Sequence, residues 1–211
     1  MNLHLLNGLT LEVYDEGEFE KYDKFDSEDL IKGKINNGCQ FEMSEVLTKK
    51  KSVGDNSDNK YQTVFNGLLA KVETPKNFNS CVYLRNDIKD QGFLVRVLSG
   101  KYDFDKLRIE LDPKEFEKMF DVYSSDKEVV SKLFTLEIKQ KLMDFENEMK
   151  MKFEITMKNN YMYIRFWSGK MFEVAKLSKE ALDKETLYKY YQMLFFVFDL
   201  SNKLVEILNK I

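Results

Sequence analysis

Residues 107–115 read LRIELDPKE, and the spacing of the apolar side chains changes inside this stretch. Its first five residues alternate apolar and charged, which predicts a half-buried strand. Asp112-Pro113 then combines a helix-capping residue with proline, and Glu115 adds an acid to the first turn, as is typical of a helix start. The chain therefore changes from strand to helix near residue 112, and this change predicts an α+β fold.

On the N-terminal side of this stretch, short apolar runs separated by polar turns predict strands. These runs lie at residues 9–14, 39–43, 64–72, 81–84, 93–98 and 107–111. A polar loop from about Ser52 to Asn59 predicts a hairpin between two of them. Because short strands with short connections rarely pair in parallel, we expect a twisted antiparallel sheet.

On the C-terminal side, helical spacing predicts a cluster of short helices. Phe116, Met119 and Phe120 lie three and four residues apart, and capping residues at Ser125 and Thr135 predict the starts of two more helices. Strands are then predicted at 153–157 and 161–166, with a tight hairpin turn at Asn159-Asn160, and a last strand through Phe172 and Val174. A long helix follows, from about Lys179 or Asp183 to the end.

The last helix carries the strongest periodic signal. Apolar or small residues follow alternating three- and four-residue steps at Leu187, Tyr190, Leu194, Val197, Ser201, Leu204, Leu208 and Ile211, and Tyr191, Phe195, Phe198 and Val205 widen this stripe. Two interpretations stay open. The stripe packs on the protein's own sheet, or the last two turns, with Leu204, Leu208 and Ile211, project and pair with a second copy or a partner helix. The second interpretation predicts that Leu204→Glu abolishes self-association and leaves the fold intact.

Composition predicts one soluble domain with two lobes, residues 1–111 mainly β and residues 112–211 α+β. Hydrophobic residues make up 43% and charged residues 33% of the 211, a balance typical of globular proteins rather than disordered chains. The net charge of -3 disfavours nucleic acid as a partner. No apolar run reaches the roughly 18 residues of a membrane span and no signal peptide is evident, so a cytoplasmic location is expected.

The sequence offers few residues for catalysis or for a soft metal. His4 is the only histidine, and Cys39 and Cys81 lie far apart with no metal-ligand spacing. No glycine-rich phosphate loop is present. The residues after Asp55 resemble the start of a calcium loop but lack its glycine and its final glutamate. No metal site and no cofactor are therefore expected, and a non-enzymatic role is favoured.

Four acids near the strand-to-helix change keep an enzymatic alternative open. Glu110, Asp112, Asp121 and Asp126 could converge, and paired carboxylates can perform acid–base work or hold a hard cation. That arrangement would suit a hydrolase or a transferase. However, Asp112 and Asp126 also suit helix capping, which is a purely structural role.

Several blocks of the sequence resemble a bacterial family known as domain of unknown function 3137. The pattern F-x-x-x-F-x-V-Y-S-x-D is present within residues 116–126, and D-x-I-x-G, F-x-x-x-E and V-F-x-G-L blocks occur at residues 29–33, 41–45 and 64–68. The chain departs from the family at Val129-Val130-Ser131-Lys132, where the family tends to have an alanine-arginine pair, and at Leu136, where proline is usual.

The resemblance implies a location but no reaction. Family members are typically anchored by hydrophobic segments ahead of this region, so the chain is expected to work at the inner face of a bacterial membrane. Membrane contact would then come only through a segment that this chain does not contain. The favoured function is a non-catalytic interaction or regulatory domain with an unknown protein partner, or self-association through the C-terminal helix.

A shallow groove is a further hypothesis from the same motif. The aromatic residues of the motif are expected first to anchor a helix to the sheet. In the alternative, Phe120, Tyr123, Ser124 and Asp126 line a groove for a ligand. The 14% aromatic content likewise leaves a small-ligand or lipid-binding domain as an alternative.

Overall fold

The computed structural model describes residues 2–3, 8–35, 38–52, 60–86, 108–169 and 184–210. Within these ranges seven strands form one antiparallel sheet. The strands are β1 (Asn2–Leu3), β2 (Lys24–Lys34), β3 (Gln40–Lys51), β4 (Tyr61–Asn86), β5 (Arg108–Ile109), β6 (Phe120–Ser124) and β7 (Phe153–Phe166). Their order is β1-β2-β3-β4-β6-β5, and β7 also pairs with β4.

Strand β4 is the centre of the sheet and is 26 residues long. Its first half pairs with β3 and its second half with β6, while β7 pairs with both halves. The register against β7 shifts between Glu73 and Phe78 and again before Val82. Pro75 lies at the first shift, where its missing N–H could not complete a regular ladder. One sheet therefore contains strands from both predicted lobes.

The predicted hairpin at Asn159-Asn160 is wrong, because β7 runs continuously from Phe153 to Phe166. Asn159 does adopt the left-handed conformation expected of it, with φ 54°, but within the irregular pairing opposite Phe78, where the extra residues belong to β4. This irregularity reverses the side-chain alternation of β7. Odd-numbered residues such as Ile155 face the main core before this point, and even-numbered residues such as Ile164 face it afterwards.

Five helices are described: α1 (Leu11–Glu16), α2 (Lys114–Met119), α3 (Lys127–Leu133), α4 (Leu136–Met149) and α5 (Lys184–Leu208). The predicted caps at Asp126 and Thr135 are confirmed, whereas Ser125 precedes the cap of α3. The Asp126 side chain accepts from the N–H groups of Glu128 and Val129, and the Thr135 hydroxyl accepts from Ile138 N–H. Asp112 is not a cap, since α2 begins at Lys114 and Pro113 occupies the capping position.

Two local predictions fail because packing overrides a short pattern. Residues 9–14 are predicted to form a strand but contain most of α1, in which Val13 and Tyr14 are buried, and Leu9 just before the helix is buried four residues from Val13. Phe120 was assigned to a helix but begins β6, all of whose residues are buried.

The remaining strand predictions are confirmed where the structure describes them. The runs at 39–43, 64–72, 81–84 and 107–111 fall in or overlap β3, β4 and β5. Ser52 N–H donates to the carbonyl of Lys60 at 3.0 Å, which supports the predicted hairpin. The strands predicted at 93–98 and through Phe172 and Val174 lie outside the described residues.

The sheet carries a layer on each face, so the predicted α+β fold is confirmed. Helices α2–α5 pack on one face over the main core, which includes Phe166, Phe196 and Leu204. Helix α1 packs on the other face in a smaller cluster with Phe65 and Tyr163. Among the described helices, none has the length and apolar character needed to cross a membrane.

Candidate functional site

A groove of about 420 Å³ lies on the outer surface of the helical layer, between α4 and α5. The two helices run antiparallel, because Lys203 near the end of α5 pairs with Glu137 near the start of α4 at 3.0 Å. We call this feature the α4–α5 groove. It is lined by Glu137, Gln140, Lys141, Asp144, Phe145, Glu148, Gln192, Phe195, Phe196 and Asp199.

The apolar part of the groove is aromatic. The buried rings of Phe145 and Phe196 are stacked, with centroids 3.9 Å apart and planes 22° apart. Phe195 stands beside them on the outer surface of α5 and is 54% exposed. The groove therefore presents a fixed aromatic floor next to a solvent-exposed ring.

The exposed aromatic surface continues along α5 beyond the groove. Tyr188, Tyr191 and Phe195 follow three- and four-residue steps and are 60%, 62% and 54% exposed. We call these three residues the aromatic stripe. Tyr188 is joined to the groove by Gln192, whose amide donates to its hydroxyl at 2.5 Å. Adjacent exposed apolar groups of this size are typical of interaction surfaces.

The rim of the groove is acidic. Four carboxylates and one ammonium line it, and Lys141 already pairs with Asp199 while Glu137 pairs with Lys203. Asp144 accepts a hydrogen bond from Gln140 at 2.8 Å. Among the described residues, no cation lies within ion-pair distance of Asp144 or Glu148. These two acids lie one turn apart in the second half of α4, where the helix dipole is also negative.

Comparison with protein families decides the classification of the chain. The family described as "protein of unknown function (DUF3137)" matches residues 63–206, well over half of the sequence. The chain belongs to the DUF3137 family. This confirms the resemblance seen in the sequence, and the matched span includes all of α4 and residues 184–206 of α5.

Comparison with solved structures gives a weak match. It is the crystal structure of the mycobacterial trehalose monomycolate transport factor A, TtfA, with 12% identity over 90% of each chain and a TM-score of 0.40. A similarity of this size carries no argument about function. No curated protein matches this DUF3137 chain.

The groove predicted from the family motif is wrong. Phe120, Tyr123 and Ser124 are buried in β6, which lies between β4 and β5, and Asp126 caps α3. The motif's aromatic residues instead join helix to sheet, as the first interpretation expected. Phe116 and Phe120 lie in contact, with ring centroids 5.2 Å apart.

The residues proposed for self-association are largely in the core. Leu204 and Leu208 are 0% and 7% exposed and pack against the sheet, so the expectation that these turns project is wrong. A carboxylate at position 204 would be placed in the core rather than at an interface. Ile211 lies outside the described residues. Self-association through the C-terminal helix stays a prediction.

The four acids of the enzymatic alternative do not meet in one pocket. Asp121 is almost fully buried and accepts from Arg108 Nε at 2.6 Å, whereas the Glu110 side chain is 86% exposed. Asp126 is a helix cap, and Asp112 lies before α2. Arg108 also donates to Glu117 at 2.7 Å. The arrangement ties β5 to α2 and β6, which is a structural role.

A different acidic cluster, not expected from the sequence, involves Glu28, Asp29 and Glu45. One oxygen from each lies within 4.8 Å of the others. The register of β2 against β3 shifts between Glu28 and Ile31, and Asp29 has φ 58°, so the bulge brings residues far apart in sequence together. These oxygens suit a hard cation in chemistry. Clusters of this kind also occur on protein surfaces without an ion, so the cluster assigns no activity.

On the opposite face of the sheet, acids from α1 and the residues after it bind the sheet through three cationic groups. Glu16 pairs with Lys71 at 2.8 Å, Glu18 pairs with Lys158 at 2.5 Å, and Glu20 pairs with Arg165. We call residues 11–20 the α1 segment. The segment is thus held to the sheet at Glu16, the last residue of the helix, and at Glu18 and Glu20 after it.

Beneath the α1 segment lies a buried group of charges. Glu154 Oε2 accepts from Arg165 Nη2 at 2.6 Å and lies 3.5 Å from Arg85 Nε. Burial alone would lower the pKa of Arg165, but the charges of Glu154 and Glu20 raise it above its ordinary value. Arg165 is therefore held charged inside the protein. Phe19 and Trp167 cover its guanidinium, with ring centroids 4.4 and 4.3 Å from Cζ.

Sequence reasoning missed the groove, although it contained two signals. The apolar positions of α5 cover more of the helix than one buried face requires, since Tyr191 and Phe195 widen the stripe. Asp144 and Glu148 place like charges one turn apart near a helix C-terminus, where acids are unfavourable. Neither the extra aromatic residues of α5 nor the two acids of α4 are needed to form the core.

Proposed function

We propose that this DUF3137 domain is a non-catalytic interaction domain that binds a helical segment of another protein in the α4–α5 groove. The observation that carries the proposal is the aromatic stripe, which is exposed and continues into the groove. Aromatic side chains supply large contact areas at low entropic cost and dominate many interfaces. A helix lying in an apolar groove is a recurring mode of recognition.

The dimensions of the surface support a helical occupant. From Tyr188 to Asp199 the surface extends along eleven residues of α5, which is about 16 Å at 1.5 Å per residue. This length matches about three turns of a bound helix. The apolar groups of the groove and stripe lie along one line, which suits the single apolar face of an amphipathic helix.

Charge disfavours a lipid surface as the occupant. The inner leaflet of a bacterial membrane is rich in anionic headgroups, and the carboxylates on the rim would repel it. A position near that membrane rests on the family resemblance alone and is part of the proposal. The domain would then bind its partner with the groove directed away from the headgroups.

Site-specific cross-linking in bacterial cells that express the chain tests the proposal. A photoreactive phenylalanine analogue at position 191 is expected to give a discrete cross-linked product. The same analogue at Lys50, an exposed residue of β3, is the matched control and should give none. The product from position 191 should disappear when Phe195→Glu is added, with an unchanged circular dichroism spectrum.

Two results would contradict the proposal. One is equal cross-linking from positions 191 and 50, which would indicate random collision. The other is a product from position 191 that persists with Phe195→Glu, since the groove would then not be responsible.

A further inference from the structure

Resting on the proposed function, we infer that the segment bound in the α4–α5 groove is a cationic amphipathic helix. Its apolar face would contact the aromatic stripe and the floor of the groove. Two lysines or arginines one turn apart on its flank would face Asp144 and Glu148. The inference therefore names the chemical class of the partner by charge, length and spacing.

The two ends of the α4–α5 groove differ in their charge balance. At one end, Lys141 and Lys203 pair with Asp199 and Glu137, so that end is electrically balanced within the protein. At the other end, Asp144 and Glu148 are both exposed, and no described cation pairs with either. The unbalanced negative charge is thus confined to one half of the groove, the half nearest the aromatic stripe.

The helix backbone adds to this potential. α4 ends at Met149 with no basic residue in its last turn, so its terminal carbonyls direct negative potential to the same region. Lys150 follows at the C-cap and offsets part of it. A cationic partner would gain from the carbonyls and from both carboxylates, whereas an anionic partner would be repelled by all of them.

The spacing of the acids sets the pattern of the partner. Asp144 and Glu148 are four residues apart on one helix, so their side chains lie on the same face about 6 Å apart. Two basic residues at i and i+4 of a partner helix match this distance. Apolar residues on the adjoining face would then reach Phe195 and Tyr191, and the cations would lie near the Tyr188 ring, which also attracts them.

Three synthetic 14-residue peptides test the inference by fluorescence anisotropy with the full chain. The first has a leucine-rich apolar face flanked by lysines, the second has the same face flanked by glutamates, and the third is a scramble of the first. At 50 mM salt the cationic amphipathic peptide is expected to bind at least about tenfold more tightly than either of the others. Raising the salt should weaken this binding, since the charges are exposed.

Substitution of the two acids localises the effect. Asp144→Asn with Glu148→Gln should weaken the cationic peptide by about 2-fold to 30-fold, the range expected for two exposed ion pairs. Asp144→Lys with Glu148→Lys should reverse the preference between cationic and anionic peptides. Glu128→Gln is the matched control, because Glu128 is an exposed acid on α3 that pairs with Lys132. It should leave all three affinities unchanged.

The outcomes separate the inference from the proposed function. Equal binding of cationic and anionic peptides, with loss in Phe195→Glu, would overturn the inference and leave helix binding intact. Equal binding of the scrambled peptide would overturn it as non-specific attraction. No binding of any peptide, with a specific cross-link at position 191, would also overturn it, whereas no binding and no cross-link would overturn both.

Discussion

Two groups of acids in this protein differ in how their charge is balanced. Glu16, Glu18 and Glu20 of the α1 segment each contact a cation of the sheet. Asp144 and Glu148 of α4 contact none among the described residues. The contrast indicates that the acids of the α1 segment contribute to stability through their ion pairs, whereas no described cation neutralises Asp144 or Glu148.

The difference between paired and unpaired acids is not visible in the composition of the chain. A net charge of -3 describes both groups at once and predicts little about either. Balanced charges lower the energy of the folded chain only if both partners stay in place. Unbalanced, exposed charges cost little, and they steer and orient a partner of opposite sign.

The largest expected change in the free energy of unfolding comes from Arg165, the buried cation that pairs with Glu154 and Glu20. Arg165→Met leaves Glu154 and Glu20 without their main cation inside the protein. Breaking a buried pair by removing one partner costs about 3–5 kcal/mol, so the free energy of unfolding should fall by that amount. Urea unfolding monitored by circular dichroism measures the change.

A matched control separates burial from charge. Lys203→Met also removes a cation from a pair, but Lys203 and Glu137 are at the surface. Its effect on the free energy of unfolding should be much smaller than that of Arg165→Met, because exposed ion pairs contribute little to stability. If the two variants lose similar stability, the buried network is not what holds the α1 segment to the sheet.

The fold was predictable in class but not in connectivity. Alternating apolar residues located β3, β4 and β5, and capping residues located α3 and α4. Asn159-Asn160 was read as a hairpin because asparagine adopts the left-handed conformation at turns and at bulges alike. Only the long pairing partner β4 decides between the two. That partner is distant in sequence, and a local pattern does not contain it.

Glu146, a third acid of α4, is partly buried. Its contribution to stability should depend on pH in the opposite sense to that of Glu16 in the α1 segment. Burial raises the pKa of Glu146 to about 6, although Asn86 donates to it at 3.0 Å and Lys152 lies near. A raised carboxyl pKa favours the folded state while the group is protonated. That stability is present below the unfolded pKa and is lost as the pH rises through about 6.

Glu146→Gln removes this dependence and should stabilise the protein at pH 8. Because the group is partly accessible to water, the gain is expected to be at most about 1 kcal/mol, with none at pH 4.5. Urea unfolding at the two pH values measures it. A loss of stability at pH 8 would show that the charged form is well accommodated.

The candidate site was less predictable than the fold, since exposure depends on what lies opposite. Leu204 and Tyr191 both belong to the apolar stripe of α5, yet the first is in the core and the second is in solvent. Their spacing does not distinguish them. The distinction arises because α4 and the sheet cover only part of the circumference of α5.

A smaller change in stability is expected at Glu16, the partly exposed acid of the α1 segment that pairs with Lys71. The hydrogen bond from Lys71, with a second from Tyr163, lowers the pKa of Glu16 despite some desolvation. A lowered carboxyl pKa gives stability that is present above the unfolded value of about 4.3 and is lost as the pH falls through the folded value. Glu16→Gln should therefore cost about 0.5 kcal/mol at pH 7 and much less at pH 3.5. An equal cost at both values would exclude charge as the cause.

The smallest expected change in stability distinguishes Glu148 from the acids of the α1 segment. Neutralising Glu148 should stabilise the protein, whereas neutralising an acid of the α1 segment should destabilise it. Glu148 lies one turn after Asp144 and next to the carbonyl end of α4, so both the like charge and the helix dipole oppose it. Glu148→Gln should therefore raise the free energy of unfolding by a few tenths of a kcal/mol, whereas Glu128→Gln, near the start of α3, should lower it slightly. Thermal unfolding of the two variants, a shift of about 1 °C in opposite directions, measures the difference. A residue that weakens the fold but is needed for peptide binding would have a function beyond stability. If Glu148→Gln destabilises the protein, this acid belongs with those of the α1 segment and the contrast between the two groups fails.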